Sequence, residues 1–78
     1  PKYQKLRAGR YQAQVGEAEI VIERKHYEDP DAYEKNPGWG LYINEEWHEY
    51  YPTLQAAKNG FSAWLKHDPV YVKKIIGN

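Results

Sequence analysis

The side chains best suited to moving protons near neutral pH or to ligating a metal are His26, His48 and His67. They are spread through three separate stretches of the chain, whereas a locally built metal site needs ligands a few residues apart on one helix or loop. His48 and Glu46 lie two apart in a strand-like stretch and so share a face, where a carboxylate and an imidazole could polarise a water. Asp29 and Asp31 could in the same way act as acid and base, but paired carboxylates are common in solvated loops. Ser62 is the only serine and Thr53 the only threonine, and each has a structural task on a helix. With no cysteine there is neither a thiolate nucleophile nor a disulfide, and the six glycines nowhere gather into a phosphate-binding loop. The sequence therefore predicts no catalytic residue, no metal and no cofactor.

What remains is recognition. Trp39, Tyr42, Trp47, Tyr50 and Tyr51 fall close together in a chain that has eight tyrosines, three tryptophans and one phenylalanine. Large rings fill a thin core economically, and when exposed they anchor protein interfaces inside a polar rim. Tyr42, Trp47 and Tyr50 are the expected contacts. The acids of residues 28–34 and 45–49, Asp29, Asp31, Glu46 and Glu49 among them, are the expected rim. The partner would be another protein, or a second copy of the same chain.

Charge is neutral in sum and uneven in order. Lys2, Lys5, Arg7 and Arg10 open the chain without an acid, and residues 17–51 hold ten acids against Arg24, Lys25 and Lys35. The basic segment supports an alternative function, contact with the nucleic-acid backbone.

Tyr11, Ala13 and Val15 alternate with Arg10, Gln12 and Gln14, which predicts a strand. Gly16 and Glu17 turn it into a second strand, carrying Ala18, Ile20 and Ile22 on one face as far as Lys25. Residues 26–38 read as a loop, with Asp29 and Pro30 able to start a helical turn. Trp39, Leu41 and Ile43 mark a third strand, turned by Asn44, Glu45 and Glu46. Strict alternation in the arm that follows puts Trp47, Glu49 and Tyr51 on one side and His48 and Tyr50 on the other. Two opposed ring sets result, Tyr42 with Tyr50 and Trp47 with Tyr51, of which only one is expected to face the core.

After Pro52, Thr53 reads as a helix cap, and Leu54, Ala57, Phe61, Trp64 and Leu65 follow helical spacing. Gly60, costing about 1 kcal/mol against alanine in a helix interior, marks a close approach to the sheet. Asp68 as cap, Pro69 at the first position and Gly77 beyond the end frame a short second helix bearing Val72, Ile75 and Ile76.

Two resemblances accompany this pattern. The hairpin leading into Tyr51, Pro52, Thr53, Leu54, Gln55, Ala56, Ala57 and Lys58 resembles small uncharacterised phage and prophage proteins, which implies an accessory role exercised by binding. The segment from Gly38 to Leu65, with Tyr51, Thr53, Leu54, Ala57, Trp64 and Leu65, resembles AP2-like arm-binding domains of phage integrases, whose sheet enters the major groove. Glu45, Glu46 and Glu49 stand where such a sheet would present bases.

The expected architecture is one α+β domain over residues 1–78: a small antiparallel sheet of three to four strands packed against one amphipathic helix, with a short C-terminal helix. No stretch approaches the roughly 20 apolar residues that span a bilayer, so the expectation is a cytoplasmic, non-catalytic protein-binding module without a membrane partner.

Overall fold

The alternation of small and branched apolar residues is realised as an antiparallel meander. The structure, a computed structural model, describes residues 1–25 and 38–77. Strands β1 (Gln4–Arg7), β2 (Arg10–Val15), β3 (Ala18–Lys25), β4 (Gly38–Ile43) and β5 (Glu46–Tyr51) lie side by side in chain order, and helices α1 (Leu54–His67) and α2 (Pro69–Ile76) follow. The expected loop of residues 26–38, with Asp29 and Asp31, lies outside the described residues except for Gly38, which opens β4.

Register assigns the two sheet faces. Tyr11, Ala13 and Val15 stand opposite Ile22, Ile20 and Ala18, and Ile22 and Ile20 stand opposite Leu41 and Ile43. These residues make the inner face. Ala13, Ala18, Ile20, Ile22, Leu41 and Ile43 are buried there with Ala57, Phe61 and Ile76 of the helices, and Leu54, Trp64, Leu65 and Val72 pack around them. The single phenylalanine is fully buried and closes the layer between sheet and helices.

The α+β class holds, but the sheet has five strands. The unexpected member, β1, has no burial alternation; all four of its residues are exposed. It is held by its ladder to β2, interrupted by a register shift between Lys5 and Arg7. The preceding Tyr3 also packs on the core. The Lys58 ammonium of α1 sits 5.3 Å from the Tyr3 ring and 5.4 Å from the Tyr11 ring, clamping this edge to the helix layer.

Helix ends follow local chemistry. The Thr53 hydroxyl accepts from the Ala56 backbone N–H at 3.0 Å, satisfying one of the donors a helix start leaves open. Asp68 joins the helices through its backbone: its N–H donates to the Trp64 carbonyl at 3.1 Å and its carbonyl accepts from Val72 at 2.9 Å. The expected carboxylate cap is not made. Pro69, whose fixed φ suits a first helical position, opens α2, and Gly77 closes it at φ 86°, a left-handed conformation that favours glycine. The Glu17 N–H donates to the Ile76 carbonyl at 3.0 Å, tying that end to the β2–β3 turn.

Candidate functional site

The second hairpin does not keep strict alternation. Tyr42 pairs with Trp47 and Leu41 with Glu49, leaving His48 as an extra residue in β5, a β-bulge. One inserted residue moves everything after it to the other face. His48 therefore turns inward, its ring 5.0 Å from Trp64 in an edge arrangement, and Tyr51 turns inward onto α1. Trp47 stands opposite Tyr42, and Tyr50 opposite Gly40, all on the outer face. The opposed ring sets expected from the sequence are thus regrouped: Tyr42, Trp47 and Tyr50 together outside, Tyr51 alone inside.

Two glycines floor this cluster. A side chain at Gly40 would meet the Tyr42 ring at 3.0 Å, and one at Gly38 would collide with the Tyr50 hydroxyl and the Tyr51 carbonyl. The tyrosines lie across bare backbone, as rings do when they cover glycine in a strand. Tyr42 and Tyr50 are half-buried, and Trp47 is 57% exposed. Inside, the Tyr51 ring likewise occupies the space a side chain at Gly60 would need, the close approach that glycine marks. Burial, with the Glu49 charge as a smaller cause, raises the Tyr51 pKa.

The acids sort differently from the expected rim. Glu46 and Glu49 pair with Ile43 and Leu41, which are inner-face residues, so their strand positions are not those of the rings. The acids that share the outer face are Glu19 and Glu23 of β3. Glu45, in the β4–β5 turn, joins them around a depression of about 300 Å³, also lined by Arg10, Val21 and Tyr42. Alternation alone places Glu19 and Glu23 on one face with Val21, as observed, though not as part of the rim; Glu45 could not be placed without the turn geometry.

That turn is fastened to β3. The Asn44 N–H donates to the Glu19 carbonyl at 2.8 Å, and the Asn44 Oδ1 accepts from the Glu19 N–H at 3.0 Å. Asn44 and Glu45 have φ 52° and 70°, the left-handed pair that a two-residue hairpin turn demands. Asparagine tolerates this; glutamate at the second position does so at a cost, because glycine is the residue that fits it.

The basic segment does not gather into one patch. Lys5 pairs with Tyr11, on the inner side, while Lys2 precedes the strand and is exposed. Arg7 and Arg10 are on the outer side, and both reach Glu23, Arg7 at 3.6 Å and Arg10 in a closer ion pair. The nearby Glu19 carboxylate accepts from the Gln12 amide at 2.5 Å.

His48 and Glu46 share the inner side as expected, but the imidazole is spent on Trp64. Among the described residues no group of three or more His, Cys, Asp or Glu could hold a metal ion, and no helix is long and apolar enough to cross a membrane. Comparison with family models, with curated proteins and with solved structures finds no match.

Proposed function

We propose that this protein is a non-catalytic binding module that recognises another protein through the outer face of β4 and β5, with Tyr42, Trp47 and Tyr50 as the contacts. The observation that supports the reading most is Trp47, a large ring left 57% exposed beside two tyrosines laid over glycine. Trp and Tyr are the residues most enriched at binding hot spots, and a strand with a glycine floor holds them without loop entropy. The acids that accompany the rings are Glu19, Glu23 and Glu45. A cytoplasmic accessory role of phage or prophage type belongs to the same reading and rests on the resemblance of the hairpin-to-helix segment alone.

Immobilised protein should capture a partner that the Trp47→Ser variant captures at least about ten-fold less well, with the thermal melt of the variant unchanged. Equal capture by both proteins would rule out this face. Nucleic acid is the alternative outcome of the same test: retention of duplex DNA on a filter that falls steeply as salt rises would point to Lys2, Lys5, Arg7 and Arg10 instead.

A further inference from the structure

Resting on that reading, we infer that the partner on the outer sheet face is a second copy of this chain, related by a two-fold axis that lies in the interface and crosses the strands. Ladder register divides that face into rows. Gln4, Gln12, Val21, Tyr42 and Trp47 form a central row through all five strands, and none of them is charged. On one side of it lie Arg7, Arg10 and Glu23, continued by Gly40 and Tyr50. Gln14 and Glu19 lie on the other, with Glu45 at the same end in the turn after Asn44, which is hydrogen-bonded to Glu19. The first side is net positive, two guanidiniums pairing with one carboxylate. The second carries two carboxylates and no base among the described residues.

A two-fold axis brings every residue on it against its own copy, a contact that repels wherever that residue is ionised. The central row escapes this. Trp47 meets Trp47, Tyr42 meets Tyr42 and the Gln12 amides bond to each other, while Val21, nearly buried, lies beneath them. The same rotation reverses strand direction, so the positive side of each copy covers the negative side of the other, twice per dimer. Glu23 then lies over the second copy's Glu19, but Arg7 and Arg10 accompany it, and their surplus charge faces that acid. An axis along the strands would cover each side with its own copy, acid on acid. Area sets the strength. Five strands about 4.8 Å apart and about 20 Å long present roughly 500 Å² per copy, so about 1,000 Å² is covered in total, the lower limit for a specific interface. Such a dimer forms with a dissociation constant on the order of 10 to 100 µM, and Trp47, 57% exposed in the single chain, is its largest contributor.

Sedimentation equilibrium from about 1 µM to about 0.5 mM reads the association directly. The weight-average mass should rise from the 9.2 kDa of one chain towards twice that value. Trp47→Ser should weaken association at least about ten-fold. Arg10→Glu and Glu19→Lys should each weaken it about five-fold, because a reversed charge is felt at both ends of the dimer. Mixed in equal amounts, these two variants should associate within about two-fold of the unaltered protein. One end of the mixed dimer then pairs the two reversed charges, and the other keeps the original pair. Arg7→Glu takes the place of Arg10→Glu if thermal melting shows the latter unfolded. A single-chain mass at every concentration would overturn the inference while leaving the aromatic face to a different protein, the case in which capture still depends on Trp47. Dimers that Trp47→Ser leaves intact would put the contact elsewhere and overturn it as well. Charge variants that associate normally, or whose mixture does not recover, would overturn the two-fold arrangement, and so would a mass that climbs past two chains.

Discussion

Tyr3 and Tyr51 show how single hydroxyls tune this small fold. The Tyr3 hydroxyl is buried with no hydrogen-bond partner among the described residues, and burial pushes its pKa up from 10.0 to about 12. Tyr51 shifts in the same direction. A phenol that ionises less readily when folded leaves the unfolded chain to lose its proton first. Stability is therefore whole below pH 10 and falls as pH rises towards 12. Urea titrations at pH 9 and 11 should show that fall, and Tyr3→Phe should reduce it. At neutral pH the same variant should be neutral or stabilising, since it deletes an unpaired buried polar atom. Gly60 gives a sharper case. Alanine there gains about 1 kcal/mol of helix propensity but meets the Tyr51 ring, and overpacking costs about 1 to 3 kcal/mol, so Gly60→Ala should destabilise. In a Tyr51→Ala background the same change should stabilise instead, and a double-mutant cycle measures the reversal.

At the scale of elements, the helices, the first hairpin and the two strands of the second were legible, and the faces of the last strand were not. Tyr11, Ala13 and Val15 share a face with Ala18, Ile20 and Ile22, and the two-residue turn at Gly16 and Glu17 selects the register observed. Thr53 announced α1 by a local hydrogen bond, which needs no tertiary context; Thr53→Ala should cost about 0.5 to 2 kcal/mol in chemical denaturation. In β5, Trp-His-Glu-Tyr-Tyr has no apolar alternation to fix its parity, because rings can serve either face. The bulge at His48 is set by the partner strand and by Trp64, neither of which a period-two reading contains. β1 was missed for a related reason: an exposed edge strand joined by backbone bonds leaves no side-chain pattern.

For the molecule as a whole, the helices cover one sheet face and the proposed contacts belong to the other. That division separates stability from recognition. Phe61→Ala, which empties the centre of the helix-covered layer, should cost about 3 to 5 kcal/mol, a large share of what a chain of this length can hold. Trp47→Ser should change the free energy of unfolding by no more than an exposed site does, about 0.5 kcal/mol. The candidate contacts Tyr42, Trp47 and Tyr50 could be named from the sequence because few other residues combine size with polarity; that they share a face depends on one inserted residue. The most direct measurement is photo-crosslinking with benzoylphenylalanine at Trp47, compared with the same probe at Val70, which is 81% exposed on α2. A discrete crosslinked partner from position 47 and none from position 70 is the predicted result. The same products from both positions, or a partner captured only from α2, would contradict the aromatic face as the binding surface.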